Sequence, residues 1–291
     1  MIAPVYRSAR TKEIYERALI QLRVAFKVAP NDFDFLQKSK EVIEHIEGLD
    51  KAVNSKKIYY IAIVGTLMRL EDPGFTEVLK TYKEKQAEYN SIIQKQYETQ
   101  QMTPEQMEKF LSWPSVLEAR KKIGAAAHDL MTYQDYVLVC VYTYIPPVRA
   151  DFAHMRVVYD EAETKEGNCL LVLSSGLTLV LNEFKTAHKY GQARIAVPPA
   201  LEEILRNWLE LNPSGWLFCD SEGRPLTEGG LSRRIIQIFQ RHTGKDVGIS
   251  MLRHSFVSWV RKDEPSYLEQ KRVAEGMLHS VGINQLYRIT K

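Results

Sequence analysis

The chain has 291 residues, 45% of them hydrophobic, which is long and apolar enough for two cores and excludes an intrinsically disordered protein. Its formal charge of +3 comes from 39 Lys and Arg against 36 Asp and Glu; residues 1–112 carry 17 basic and 16 acidic groups, and residues 113–291 carry 22 and 20. Net charge therefore points to no polyanionic partner, and any nucleic-acid contact must rest on local positive charge.

The first hundred residues read as helices. Thr11 to Phe26 sets Ile14, Ala18, Leu19, Leu22 and Phe26 on one face. Asn31-Asp32 can cap a short helix with Phe33, Phe35 and Leu36, and helical spacing from Val42 to Ile46 stops at Gly48. Asn54-Ser55 can cap a helix carrying Tyr59, Ile61, Ile63, Val64 and Leu67. A long polar helix follows Pro73-Gly74 through Tyr82 and Tyr89, then gives way to the Gln-rich segment Gln94 to Gln101, the best candidate linker. Thr103-Pro104-Glu105-Gln106 is a capping box with proline at the first helical position.

The second half mixes types. Trp113-Pro114 opens a helix ending near Gly124, and Asp129 to Tyr144 is a strongly apolar helix stopped by Pro146-Pro147. Alternation then predicts a β-hairpin, Cys169 to Leu173 and Leu177 to Leu181 about Ser174-Ser175-Gly176, with a third strand at Arg194 to Val197. Pro198 opens another helix, Thr227 can cap the next, and residues 249–262 and 268–278 read as two more. The fold class is mainly α with a small antiparallel β-sheet (α+β). A helical domain covers residues 1–100, a linker region 101–112 and a second domain 113–291.

Cys140, Cys169 and Cys219 are far apart, each in an apolar run, and read as reduced core residues of an intracellular protein without zinc-ligand spacing. Met1 to Arg7 contains no apolar stretch of the secretory kind. The longest apolar run, Tyr136 to Pro147, is too short to span a bilayer, so no membrane role is expected.

The chemistry concentrates in an ordered series: Arg149, Lys185, Ser250-Met251-Leu252-Arg253-His254, Leu278-His279 and Tyr287. Attack on a phosphodiester builds charge on its non-bridging oxygens, and a planar guanidinium offers two aligned donors to that charge. Arg149 and Arg253 would grip the phosphate from two elements, and His279 could donate a further hydrogen bond. Tyr287 is the candidate nucleophile, since a tyrosyl phosphodiester conserves the bond for rejoining. A lysine in the turn between the second and third expected strands could protonate the leaving oxygen; Lys185 is the first choice and Lys189 the second. Taken singly, each of these residues is an ordinary surface or core residue.

The series resembles the catalytic domain of the tyrosine recombinase (integrase) family, and the whole chain resembles its layout of a helical core-binding domain ahead of a catalytic one. Ser250-Met251-Leu252-Arg253 corresponds to that family's His-x-x-Arg box and Met277-Leu278-His279 to its Leu-Gly-His box. Phe184-Lys185-Thr186-Ala187-His188-Lys189-Tyr190-Gly191 and Pro146-Pro147-Val148-Arg149-Ala150-Asp151 further resemble integrases of large DNA viruses and virophages. The resemblance implies cleavage and rejoining of double-stranded DNA through a 3′-phosphotyrosyl intermediate. It implies no cofactor and no metal, and a homo-tetramer assembled on two DNA sites. Lys56 and Lys57 at a helix start, and Arg233, Arg234 and Arg241 on another helix, are candidate phosphate contacts.

Two departures matter. Ser250 stands where the family has histidine, and serine is a poor general base, so the phenol proton would pass to water or a nearby histidine. The chain also stops four residues after Tyr287, whereas family members often continue into a helix that docks on a neighbouring protomer. The serine leaves open a DNA-binding protein of the same fold with impaired catalysis. A type IB topoisomerase shares the chemistry but fits the separate helical domain less well, and a helical scaffold without DNA is the remaining alternative.

Overall fold

A computed structural model describes residues 9–263 and 265–289. Met1 to Arg7, read above for a signal, lies outside them. The chain forms two compact units, Met1–Thr99 and Gln100–Lys291.

The first unit is helical: α1 (Ala9–Phe26), a 3-10 turn (Asp34–Gln37), α2 (Ser39–Gly48), α3 (Val53–Leu70), a second 3-10 turn (Pro73–Phe75) and α4 (Thr76–Thr99). Its core is built on Leu22, Leu36, Val42, Ile46, Tyr60, Ile63 and Tyr82, all fully buried. Tyr82 satisfies its hydroxyl on the Leu36 carbonyl at 3.0 Å. Several expectations differ from this arrangement. Phe33 is the cap of the 3-10 turn rather than part of it, and Ile14, expected on the apolar face of α1, is exposed. Asn54 and Ser55 fall inside the first turn of α3, whose cap is Ala52. The Gln-rich segment is helical through Thr99, because Gln, Lys, Glu and Tyr contain no breaker and glutamine is a good helix former.

The second unit begins with α5 (Pro104–Lys109), closed at its start by the Thr103–Gln106 capping box. Residues 101–112 are not a free tether. Met102, Phe110 and Leu111 pack against the second unit's core, and the Phe110 and Leu111 carbonyls accept from Lys245 Nζ (2.7 Å) and Ser255 Oγ (2.6 Å). Next come α6 (Trp113–Ala125) and α7 (Leu130–Tyr144), the latter capped by Asp129. Every residue from Val137 to Tyr142 is fully buried, which makes α7 the central helix.

A four-stranded sheet follows, in the order β1 (Arg156–Val158), β2 (Cys169–Leu173), β3 (Gly176–Leu181) and β4 (Ala193–Ala196). β2–β3 and β3–β4 are antiparallel, as the expected hairpin and third strand require. β1 runs parallel to β2, with Arg156 opposite Cys169, so the sheet is mixed rather than purely antiparallel. β1 is three residues long and too short to show a period. The connection from β1 to β2 contains only the 3-10 turn Glu161–Lys165.

The short helix α8 (Ala187–Tyr190) lies between β3 and β4. The remaining helices are α9 (Pro199–Leu211), α10 (Glu228–Thr243), α11 (Ile249–Val260), α12 (Tyr267–Gly276) and α13 (Val281–Gln285). The three cysteines are free and buried. Among the described residues no helix is long and apolar enough to cross a membrane, and no group of three or more acidic, histidine or cysteine side chains could hold a metal ion.

Candidate active site

Four segments of the second unit meet, and each has an identifiable reason to be there. The first is the loop after α7. Pro146 and Pro147 end the helix, the Tyr142 hydroxyl donates to the Arg149 carbonyl (2.7 Å), and the Arg149 amide donates to Asp151 Oδ2 (3.0 Å). The second is α11, which carries Arg253 into the interior at 2% exposure. The third is the turn after α12, where Leu278 takes φ +58° and the His279 amide returns to the Ala274 carbonyl (2.9 Å). Leu278 thus adopts the left-handed conformation that glycine adopts freely, at the glycine position of the Leu-Gly-His box. The fourth is the segment after α13, which carries Tyr287.

Close approach joins these segments. A Cβ on Gly276, the last residue of α12, would lie 2.9 Å from Pro146 Cγ, so glycine lets the His279 turn sit against the Arg149 loop. Thr186 Oγ1 donates to the Leu278 carbonyl (3.1 Å), which ties the Lys185 turn to the same place. His254 Nδ1 is 2.9 Å from the Tyr287 carbonyl oxygen, and the Ile289 amide donates to Ser258 Oγ (2.9 Å), so α11 holds the segment on both sides of Tyr287.

The side chains form one cluster. Arg253 Nη2 hydrogen-bonds His279 Nε2. The Arg253 guanidinium lies over the Tyr287 ring, 4.2 Å from its centroid. The His279 ring stacks on the same phenol, with centroids 5.2 Å apart and planes at 14°. His254 approaches it at 5.0 Å. A guanidinium only donates, so His279 Nε2 accepts and the ring proton sits on Nδ1, a buried atom with no partner among the described residues.

The electrostatics bring in the remaining two cations. Burial, joined by Arg253, Arg149 and Lys185, pushes His279 down to about 3, so its ring is neutral near pH 7. Burial also lowers Arg253 to about 10, and Arg149 acts in the same direction against Tyr287, Asp151 and Tyr142. The nearby Asp151 has its carboxyl raised by burial, opposed by the Arg149 amide and the Arg149 and Arg253 guanidinium groups. Arg149, Lys185 and Arg253 all act on His279, and Asp151 is the carboxyl that acts on both Arg149 and Arg253, so the cluster around the phenol is rich in cations and suits an anionic ligand.

Arg149, Lys185, Arg253, His279 and Tyr287 therefore converge, the first two through the field they exert and the others through contact. Ser250 is exposed in the first turn of α11 and hydrogen-bonds to none of them. Lys189 is exposed, and its ammonium lies over the Tyr190 ring at 5.2 Å. The candidate phosphate contacts divide. Lys56 Nζ donates to the Glu47 carbonyl (2.6 Å), whereas Lys57 and the exposed Arg233 have no ion pair among the described residues. Arg234 and Arg241 bond the 3%-exposed Asp135 of α7, at 2.5 and 3.2 Å, and the Arg241 side chain stays 56% exposed. A buried carboxylate needs such partners, and they pin α10 to α7. Local patterning does not mark Asp135, Asn168 or Thr186 as supports of this site, because their partners are distant in the chain.

No protein-family model matches the chain, and no curated protein matches its sequence. The likeness lies in structure. The XerH site-specific recombinase bound to difH substrate, in a pre-cleavage complex, superposes with a TM-score of 0.60 at 16% identity, over 96% of this chain and 75% of that one. XerA recombinase superposes with a TM-score of 0.47 at 13% identity, over 98% of this chain and 89% of that one. The fold expected from the sequence resemblance, a helical unit ahead of a mostly helical unit with a small sheet, is the fold shared with XerH.

Proposed function

We propose that the protein is a site-specific DNA recombinase of the tyrosine type. The observation that carries this reading is the phenol of Tyr287 in contact with both the Arg253 guanidinium and the His279 ring, which Arg149, Arg253 and Lys185 all act upon. The Tyr287 oxygen attacks a backbone phosphorus as the P–O5′ bond breaks. Arg149, Arg253 and the free Nδ1–H of His279 stabilise charge on the non-bridging oxygens. Lys185 gives its proton to the departing 5′ oxygen. The phenol proton passes to water, because His279 already holds a proton on Nδ1 and its Nε2 is taken by Arg253. The 5′-hydroxyl of another strand reverses these steps and rejoins the DNA. The likeness to XerH, a recombinase bound to its difH substrate, supports DNA as the partner. Lys56 and Lys57 of the first unit and Arg233, Arg234 and Arg241 of the second are the proposed phosphate contacts. A tetramer on two DNA sites is the matching assembly.

The test uses a duplex nicked beside the scissile phosphate, so that the cleaved end diffuses away and the adduct is trapped. The protein should form a covalent adduct that Tyr287→Phe does not form. An adduct that survives this substitution overturns the nucleophile. The exposed Ser250 favours one other reading, a DNA-binding protein that no longer cuts. Salt-sensitive retention on DNA without adduct on any cognate duplex would establish that reading instead.

A further inference from the structure

Asn168 stands directly before β2, is 8% exposed and uses every hydrogen-bonding position of its amide. Its Nδ2 donates to the Asp151 carbonyl (2.8 Å) and the Glu183 carbonyl (2.9 Å). Its Oδ1 accepts from the amides of Asn182 (2.9 Å) and Glu183 (2.8 Å). Of these partners, Asp151 lies two residues after Arg149 and accepts from its amide, and Glu183 lies two residues before Lys185.

Asn182 extends the same brace. Its Nδ2 donates to the carbonyls of Thr164 (2.9 Å) and Gly167 (2.6 Å), and its Oδ1 accepts from Gln192 Nε2 (2.9 Å). The far side of the Lys185 turn is held by the Thr186 bond to Leu278. The exit of β3, which would otherwise be a loop free to swing a long lysine, is thus fixed against the Arg149 loop through one side chain.

We propose that Asn168 is a positioning residue that sets the reach of Lys185 to the leaving oxygen relative to the phosphate held by Arg149. Only an amide supplies two donors and two acceptor lone pairs in one plane. Aspartate keeps the shape but loses both donors and faces two carbonyl oxygens. The proposal rests on the recombinase reading above and extends it from the residues that touch DNA to one that does not.

The experiment compares two duplexes, one with the ordinary 5′ oxygen at the scissile phosphate and one with sulfur in its place. A thiolate leaves without a proton, so sulfur removes the need for a correctly placed acid. Each protein is scored by its ratio of sulfur to oxygen cleavage rates, which does not depend on the fraction that is folded. Lys185→Ala should lose about 10²–10⁴-fold on oxygen and recover on sulfur. Asn168→Asp should lose about 10²-fold on oxygen and also recover on sulfur, and Asn168→Ala should behave in the same way. Equal losses on both duplexes in the Asn168 variants, with Lys185→Ala rescued, would overturn the inference and leave the recombinase reading intact. Failure of sulfur to rescue Lys185→Ala would remove the acid and the inference together while leaving Tyr287 as nucleophile. A wild-type protein that cleaves neither duplex would overturn both readings.

Discussion

The two units treat charge beside their cores in opposite ways: the first surrounds an exposed carboxylate with partners, the second buries a cation without such a set. In the first unit Glu47 accepts from the hydroxyls of Tyr60 and Tyr89, each at 2.7 Å, and faces Lys85 at 3.9 Å. Burial alone would raise this carboxyl, but the two phenols, Lys85 and Lys56 hold it below its ordinary value. In the second unit Arg253 is buried with its Nε unpartnered, and its other partner is a neutral histidine whose Nδ1 is also unpartnered. The second unit can close a charge when the fold needs it, since Asp135 is bridged by Arg234 and Arg241. The open cluster around Tyr287 is therefore a local arrangement, and an arrangement that costs stability in the free protein is expected where a ligand supplies the missing charge.

The largest effect is expected from Arg253→Met, which keeps length and apolar volume but removes the cation. Adduct formation should fall by about 10²–10³-fold or more, while the urea midpoint should hold or rise. A collapse of stability with the loss of cleavage would make Arg253 a structural residue and end the contrast. Glu47→Ala should do the reverse. It removes the acceptor of two phenol hydroxyls, a loss of about 0.5–1.5 kcal/mol for each bond at a site water can reach, so the urea midpoint should fall while adduct yield on saturating duplex stays unchanged. An unchanged midpoint would show that the first unit's network is not holding its core.

The contrast also marks what the sequence could disclose. Elements with a local signal were legible: the Thr103 and Thr227 caps, the apolar helix ending before Pro146-Pro147 and the Cys169–Leu181 hairpin all lie where spacing and capping chemistry place them. β1 and α13 were not, because three and five residues are too few to carry a period. The five site residues could be picked out only by their order and the family resemblance, since nothing local distinguishes Tyr287 from the other 14 tyrosines among the chain's 15. The partners that hold them were not legible. Asp135 meets Arg234 and Arg241 across 99 and 106 residues, and Thr186 meets Leu278 across 92, distances that only the completed fold closes.

A smaller effect tests the contact that assembles the cluster. In Gly276→Ala the new methyl would meet Pro146 Cγ at 2.9 Å, closer than side-chain carbons sit, so the Arg149 loop and the His279 turn must part by a few tenths of an ångström. Alanine favours the helix end by about 0.5–1 kcal/mol, which offsets part of the clash. Cleavage should drop several-fold with little change in thermal midpoint. Full activity would mean that the spacing of Arg149 and His279 has slack.

A further test lies in the pH dependence of stability, which reports on the cluster's charge directly. The ordinary value for histidine is 6.5, and the folded protein holds His279 down at about 3, chiefly by burial and then by Arg253, Arg149 and Lys185. Between those values the unfolded chain binds a proton that the folded chain refuses, so each step down in pH favours unfolding. His254, also lowered by burial, adds to the same slope. In His279→Asn the urea midpoint should decline less steeply than in wild type as pH falls through this window. A phosphodiester seated among Arg149, Arg253 and Lys185 would offset their charge and ease protonation of His279, so bound duplex should flatten the wild-type slope towards that of the variant. A slope indifferent to duplex would mean that DNA binds without placing a phosphate in the cluster, and the open charge would then need a different ligand.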